Sequence, residues 1–467
     1  MKPWLRAAFV LAIGAAVWCL PPPANLSLPA IHLTAIFAAT IAALVLQPMP
    51  QGAVVIISVA TAAITGTLAP TDALAGYADS TVWLIFTAIL VSRGFIITGL
   101  GRRIAYRAVR LFGRTTLGLA YATTCADLII APATPSNTAR AGGILYPVIR
   151  SLASCLGSEP GPTARRAGAF LLFNELQVNL VTCALFFTAV APNAMIEKLA
   201  RESFGYQITW IGWFVAASVP AAVSLTLLPL IIYLLMKPEV RRSDDAVASA
   251  RRELEAMGPM TAAEKRMSGI FLGTLALWAT GQWTGLNATA VALAGVSALL
   301  VLRVLRWDDV LGERGAWDAL VWFGGLVSLA SGLAKLGVIS YVASTLKSAL
   351  GGLESWTIGF VLVTLAYVYM HYLIASMTAH ATALYVPMGL VAASLGAPVP
   401  LVVLVLGFMN SLNAGTTHYG TGPSPIYYAA GYIDQATWWK CGFAVSVVNV
   451  AIWLTVGGAW WKFLGLW

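Results

Sequence analysis

Long apolar runs, separated by short polar stretches, set the strongest limit on what this chain can fold into. A run of about 20 apolar residues can cross the hydrocarbon core of a bilayer as a helix. Hydrophobic residues make up 59% of the 467 positions and charged residues only 10%, whereas a soluble chain carries about 25% charged residues. The sequence therefore predicts a multi-pass membrane protein, with candidate crossings near residues 5–20, 30–47, 52–69, 81–100, 168–196, 207–236, 268–284, 286–304, 317–340, 357–374, 399–416 and 437–465.

The lipid around the crossings determines the expected fold class. In lipid, every backbone polar group needs a partner inside the protein, so helices are the expected elements. We expect an all-α polytopic protein with about eleven membrane crossings and no separable soluble domain. Segment 115–149 is the exception, because prolines and hydroxyl side chains make it too polar to cross as a simple helix. We expect it to form a re-entrant hairpin, which enters and leaves on one side.

The positive charges are placed like those of a membrane protein. The net charge is +9, but there is no basic domain that would suit a nucleic-acid partner, and most Lys and Arg residues lie in short loops. Such loops are usually cytoplasmic. The most polar stretch, 237–266, predicts an amphipathic linker whose helix begins at 243–245. We expect this linker in the cytoplasm, between a first part, 1–236, and a second part, 267–467, of a bacterial inner (plasma) membrane protein.

Two short motifs divide the chain into related halves. Ser-Asn-Thr-Ala-Arg at 136–140 is followed 240 residues later by Ser-Met-Thr-Ala-His at 376–380. Residues 136–138 are called the first tip below, and residues 376–378 the second tip. In each half an apolar segment follows that is interrupted at a proline, Pro192 or Pro423. Internal repeats with paired, interrupted segments indicate a transporter with its site near the bilayer midplane, and the charge pattern favours opposite insertion of the two repeats.

The two tips suit a small anion. Free N–H groups at the start of a helix and the positive end of its dipole favour anions, and hydroxyl side chains add donors. The alternative is that the serine and threonine side chains only cap helices, which is their commoner use. The interrupted segments supply further walls. The candidate substrate-binding residues are Ser136, Asn137, Thr138, Ser376, Met377, Thr378, Pro192, Asn193, Thr417, Thr421, Gly422 and Pro423.

Arg140 and His380 hold equivalent places, one small residue beyond each tip. A cation inside a membrane segment is costly and indicates a functional site by default. We expect both residues to compensate the charge of a bound anion. The alternatives are a structural ion pair of Arg140 with Asp127 or Glu175, and a His380 that is only a hydrogen-bonded core residue.

These motifs resemble the divalent anion/sodium symporter family, most nearly its 2-oxoglutarate/malate translocator branch. The resemblance rests on the sequences at 134–143, 376–380, 417–423 and 438–467, and it covers nearly the whole chain. It implies eleven membrane helices and two re-entrant hairpins in inverted repeats. It also implies a homodimer with elevator-type movement, and dicarboxylate or tricarboxylate substrates whose carboxylates are held by Ser136, Asn137, Thr138, Ser376 and Thr378.

Met377 departs from that family, whose sodium-coupled branch has Asn at the middle of both tips. A thioether is a poor ligand for a hard cation such as sodium. Fixed cations, unlike sodium, would stay behind when the substrate leaves, so the empty carrier would cross reluctantly. We therefore expect a dicarboxylate antiporter that exchanges substrates such as 2-oxoglutarate, malate, succinate or fumarate.

Other functions stay open at this point. A sodium-dicarboxylate symporter is the main alternative, and citrate, tartrate and aromatic dicarboxylates are further possible substrates. We expect no cofactor and no metal site, apart from sodium if the symporter alternative holds. The four histidines form no H-E-x-x-H motif and G-x-S-x-G is absent from the sequence, so the sequence does not favour an enzyme. Paired midplane motifs fit alternating access better than a channel.

Overall fold

The computed structural model describes residues 3–23, 25–350 and 355–467. Within these ranges the regular secondary structure is helical, and no β-strand occurs. The helices that precede the central linker are α1 (Pro3–Trp18), α2 (Leu28–Leu46), α3 (Gln51–Ile64), α4 (Pro70–Ala73), α5 (Ser80–Thr98), α6 (Leu100–Phe112), α7 (Thr116–Ile130), α8 (Tyr146–Cys155), α9 (Gly168–Leu185), α10 (Ala191–Phe204) and α11 (Trp210–Met236).

The linker itself carries a helix that begins at Asp244, where the sequence predicts one. The helices from there onward are α12 (Asp244–Ala256), α13 (Ala262–Ala279), α14 (Gly281–Thr284), α15 (Ala288–Val301), α16 (Trp307–Gly312), α17 (Arg314–Lys335), α18 (Val338–Leu350), α19 (Trp356–Met370), α20 (Met377–Ser394), α21 (Val399–Leu412), α22 (Ser424–Ala429), α23 (Gln435–Ile452) and α24 (Gly458–Phe463).

Local signals in the sequence set several helix ends. Asp79 caps α5 by accepting a hydrogen bond from the backbone N–H of Thr81 at 2.8 Å, and Asp434 caps α23 in the same way. Thr261 and Glu264 form a reciprocal capping box at the start of α13. α5 ends at Gly99 with φ +74°, a left-handed conformation that glycine adopts without strain.

The polytopic all-α fold is confirmed. Eight helical segments among the described residues are long and apolar enough to cross a membrane, and they are 28–46, 80–98, 116–133, 168–185, 210–236, 314–335, 356–373 and 435–463. Shorter apolar helices lie at 4–18, 51–64, 288–301 and 399–415. The total of about eleven crossings stays a prediction, as do the two re-entrant hairpins.

The two halves pack against each other reciprocally. α3 of the first half packs on α17 of the second, while α15 of the second half packs on α5 of the first. α10 likewise packs against α20, and the Tyr427 hydroxyl on α22 donates to the Ala141 carbonyl oxygen just after the first tip, at 3.1 Å. Exchanged contacts of this kind are expected of two repeats related by a two-fold axis. The fully buried α9 packs against α21, and this pairing joins the halves at the centre.

Candidate anion-binding site between two hairpin tips

The first tip lies where α7 stops. Pro132 and Pro135 break the helix because proline lacks an N–H group and disfavours helical geometry in the preceding residue. Residues 134–136 have no regular structure, a helix resumes at Asn137, and it continues as a π-helix over Thr138–Leu145 into α8. The backbone thus turns back on itself and places a helix N-terminus at the tip.

The second tip has the same design. α19 gives way to a 3-10 turn over His371–Leu373, and α20 starts directly after Ser376. The Ser376 Oγ accepts a hydrogen bond from the Ala379 N–H at 3.4 Å, and the Ser136 Oγ accepts one from the Ala139 N–H at 3.2 Å. The capping alternative therefore describes both serines correctly. It does not exclude a binding role, because both serines also line a common cavity.

That cavity, of about 340 Å³, lies between the tips and the interrupted segments. Nine of the twelve candidate substrate-binding residues line it, namely Ser136, Asn137, Thr138, Pro192, Ser376, Met377, Thr378, Thr421 and Gly422. The helix N-termini at Asn137, Met377 and Ala191 all open onto this space. The structure thus brings together most of the site that the sequence predicts.

Asn193, Thr417 and Pro423 do not line the cavity. Asn193 is fully buried, and its Nδ2 donates to the carbonyl oxygens of Cys183 at 2.8 Å and Phe186 at 3.1 Å. It thus adds a hydrogen bond to backbone carbonyl groups around the end of α9. Thr417 is also fully buried, and Pro423 stands at the N-cap of α22. In this conformation all three support the walls from behind.

The two tips contact each other through the second-half interruption. The Asn137 Nδ2 donates to the Thr421 Oγ1 at 2.7 Å, and the Thr421 hydroxyl donates to the Met377 Sδ at 3.1 Å. Gly422 approaches Thr138 so closely that a Cβ there would lie 2.1 Å from the Thr138 Oγ1. Only glycine fits at this position without moving the threonine side chain.

Arg140 lies behind the first tip and is fully buried. Its Nε donates to the Asp127 Oδ1 at 2.7 Å, and both side chains are 0% exposed. Its Nη1 donates to the carbonyl oxygens of Thr134 at 2.8 Å and Ala189 at 3.0 Å. Asp127 already balances the charge of Arg140, and Arg140 does not line the cavity, which favours the structural ion pair over the expected charge compensation. Arg140 instead joins the backbone of the tip to the break before α10.

His380 occupies the equivalent place, where its ring contacts groups that carry no charge. Its Nε2 lies 2.8 Å from the Tyr367 carbonyl oxygen, and its Nδ1 lies 3.1 Å from the Asn410 Oδ1. The offset of 240 residues relates Arg140 to His380 and also relates Asp127 to Tyr367. His380 is fully buried and outside the cavity lining. This position favours the alternative in which His380 is a hydrogen-bonded core residue.

The cavity's positive potential therefore comes from backbone. Among the described residues that line the cavity there is no Lys or Arg. Each helix N-terminus carries about half a positive charge, so the N-termini at Asn137, Ala191 and Met377 provide a diffuse positive potential of about +1.5. The N–H groups and hydroxyls at the tips can donate to carboxylate oxygens, which is the chemistry that a small dianion needs.

One wall of the cavity is formed by residues that are not among the predicted site residues. Gln51 at the start of α3, and Gly315, Asp318 and Trp322 on α17, also line the cavity. Asp318 is the surprising member, because its side chain is exposed to a space that favours anions. The sequence does contain an indication of Asp318, because a carboxylate inside a candidate crossing indicates a functional site by default.

Comparisons with known proteins identify the family of this chain. A family model described as "Sodium:sulfate symporter transmembrane region" matches residues 1–467. The chain is 46% identical over 458 residues to the Bacillus subtilis (strain 168) protein named "Putative malate transporter YflS", covering 98% of this chain and 96% of that one. It is 41% identical over 472 residues to "Dicarboxylate transporter 1, chloroplastic" of Arabidopsis thaliana, covering 100% and 85%.

A solved structure shares the fold. The YdaH transporter of Alcanivorax borkumensis superposes with a TM-score of 0.57 at 13% identity, over 99% of this chain and 97% of that one. Together with the full-length family match, these findings confirm the resemblance seen in the tip motifs. The chain belongs to the divalent anion/sodium symporter family, whose members are membrane transporters and not enzymes.

Proposed function

We propose that this protein is a secondary transporter of small dicarboxylates, and that it works as an antiporter. Substrates of the 2-oxoglutarate, malate, succinate and fumarate class fit the names of the relatives. The cavity of about 340 Å³ lies at the small end of ligand sites, which span about 300–1,000 Å³. The single observation that carries the proposal is that two matched tips open helix N-termini onto this one cavity.

Each tip takes one carboxylate of the substrate. At the first tip, the Thr138 hydroxyl and the Asn137 amide are the side-chain donors, and at the second tip the Thr378 hydroxyl is the donor. Charge-assisted hydrogen bonds of this kind are about twice as strong as neutral ones. Two neighbouring anion-binding tips on one cavity favour molecules with two negative ends.

Exchange follows from the fixed origin of the positive potential. The helix N-termini stay in place when the anion leaves, so the empty cavity keeps a positive potential that the Asp318 carboxylate offsets only in part. Moving such a site through the low-dielectric part of the protein costs free energy. The loaded carrier crosses more easily, and exchange of one dicarboxylate for another is the result. Backbone dipoles thus take the charge-compensating role that the sequence suggests for Arg140 and His380.

Met377 supports transport without sodium. Its sulfur accepts from Thr421 at 3.1 Å and its side chain is 4% exposed, so a soft thioether fills the place where a hard ligand would be needed. Sodium-coupled dicarboxylate symport is the second candidate, and the family description, which names sodium symporters, favours it.

Counterflow in proteoliposomes separates the two candidates. Vesicles loaded with malate should take up labelled 2-oxoglutarate, or labelled malate, equally well in sodium and in choline buffers. Vesicles without internal dicarboxylate should take up almost none. Uptake into empty vesicles that depends on a sodium gradient would establish symport in place of exchange. Protein-free vesicles provide the background.

The arrangement in the membrane completes the proposal. We propose that parts 1–236 and 267–467 insert as inverted repeats in the inner membrane of a bacterium, that loop 237–266 faces the cytoplasm, and that two copies form a homodimer. The arginine-rich loops support this orientation. Labelling of single cysteines introduced into α12 with an impermeant maleimide, in whole cells and in inverted vesicles, tests it. We expect labelling only in inverted vesicles. Labelling in whole cells would show that loop 237–266 faces the outside and would contradict the proposed orientation.

A further inference from the structure

Glu175 is a buried acid that the proposed transport cycle does not use. It lies on α9, a segment that is buried along its whole length. The side chain is 0% exposed, and neither carboxyl oxygen has a hydrogen-bond partner. An ionised carboxylate in such a place costs many kcal/mol unless it is paired.

The groups around Glu175 are already engaged. Among the described residues, the titratable groups that interact with it are Asp127 on α7, Arg140 just after the first tip, and the Tyr427 hydroxyl on α22. Arg140 donates to Asp127 and to backbone carbonyls, and Tyr427 donates to the Ala141 carbonyl oxygen. The Thr123 hydroxyl also approaches Glu175, but it donates to the Ala120 carbonyl oxygen at 3.0 Å.

The net charge of the cluster of Asp127, Arg140 and Glu175 favours one protonation state of Glu175. Asp127 and Arg140 form a neutral pair at 2.7 Å, so an ionised Glu175 would give the cluster a net charge of −1. A protonated Glu175 keeps the cluster neutral and leaves the Arg140 hydrogen bonds intact. Burial without a hydrogen-bond partner therefore favours the protonated form of this carboxyl group, which lies behind the helix that starts at the first tip.

We propose that Glu175 is a proton-binding site linked to the anion site, so that a dicarboxylate binds tightly only while Glu175 carries its proton. The proposal rests on the proposed function, because it needs a dicarboxylate in the cavity. When the proton leaves to the solvent, a negative charge appears behind the tip and opposes the helix dipole there. It also competes with Asp127 for Arg140, whose bonds to Thr134 and Ala189 hold two cavity walls.

Linkage fixes the direction of the effect. If losing the proton weakens anion binding, then binding the anion must strengthen the hold on the proton by the same factor. Affinity is full at low pH and falls as the pH rises through the titration of Glu175. Where affinity falls, each bound anion takes up a fraction of a proton from the solvent, and this fraction grows with the coupling factor. Couplings between protein sites span about 5- to 150-fold, which sets the expected loss of affinity.

Calorimetry on the purified full-length protein tests this proposal with malate as the probe. Titrations are run above the second ionisation of malate, in buffers of different ionisation enthalpy, so that proton uptake is measured directly. Wild-type protein should lose affinity at least about fivefold toward alkaline pH and take up protons there. The E175Q variant should bind with the same affinity at every pH and take up none. The E239Q variant changes an exposed acid and should behave like wild type.

Three results would overturn the proposal: a wild-type affinity that is constant up to the pH of unfolding, a pH dependence that E175Q retains, or an E175Q variant that folds but binds no malate. If E175Q fails to fold, infrared spectroscopy of wild-type protein at neutral pH decides. A protonated carboxyl band that shifts when malate binds supports the proposal, and its absence refutes it. Wild-type protein that binds no dicarboxylate at any pH would instead refute the proposed function.

Discussion

Replacing Arg140 should lower the folding stability of the protein, because Arg140 belongs to a buried ion pair behind the cavity. Asp127 and Arg140 are both 0% exposed and lie 2.7 Å apart. Breaking a buried ion pair from one side costs about 3–5 kcal/mol, because the other charge is left without a partner. Arg140→Ala also leaves the Thr134 and Ala189 carbonyl oxygens without the donor they share. We expect each single variant, Arg140→Ala and Asp127→Ala, to lose about 3–5 kcal/mol of unfolding free energy.

The double variant distinguishes a pair from two separate residues. Once both charges are gone, no unpaired ion remains, so the double variant should be more stable than the sum of the single losses predicts, by about 2 kcal/mol. Unfolding of the purified protein by SDS in mixed micelles measures all three variants against wild type. Additive losses would refute the pair. A stable Arg140→Ala protein that folds normally but has lost counterflow would restore Arg140 as a charge that serves the substrate.

Substitutions at three further positions test the cavity. Gly422→Ala should weaken dicarboxylate binding up to about tenfold, because the new methyl group displaces the Thr138 hydroxyl and removes about one hydrogen bond; isothermal titration measures it. Met377→Asn should make binding depend on sodium, since an amide oxygen suits a hard cation, while Met377→Leu should leave binding independent of sodium. Asp318→Asn should raise dianion affinity about fivefold, because it removes about 1 kcal/mol of repulsion in the cavity, and added salt should reduce the gain.

Each of these outcomes has a clear opposite. If Gly422→Ala weakens binding equally in a Thr138→Ala background, the effect does not pass through that hydroxyl. If Met377→Asn binds dicarboxylates without regard to sodium, the thioether is not what excludes the cation. If Asp318→Asn lowers the affinity, this carboxylate contributes to recognition, for example by accepting a hydrogen bond from the substrate.

The tips could be predicted because they violate the rules of a membrane helix. Prolines beside hydroxyl residues, at 132–138, cannot cross lipid as regular helix, and the second tip repeats the pattern at an offset of 240. Matched irregularities of this kind point to a site from sequence alone. Nine of the twelve proposed residues then line one cavity, because the repeat places both breaks at the same depth in the fold.

The partners of the charged residues could not be predicted in this way. The sequence offers both Asp127 and Glu175 to Arg140, and only packing decides that Asp127 takes the ion pair at 2.7 Å. The equivalent pair, Tyr367 with His380, contains no carboxylate and shows that the same position can be filled without an ion pair. Asp318 could not be predicted as a site residue for another reason. It reaches the cavity from α17, and no sequence motif connects α17 to the tips.

A structure of the protein with bound malate tests the central claim most directly. We expect one carboxylate at each tip, within hydrogen-bond distance of the Thr138 and Thr378 hydroxyls, with the Asp127–Arg140 pair unchanged behind the first tip. A malate that contacts Arg140 or His380, or that lies outside the space between the tips, would contradict the account.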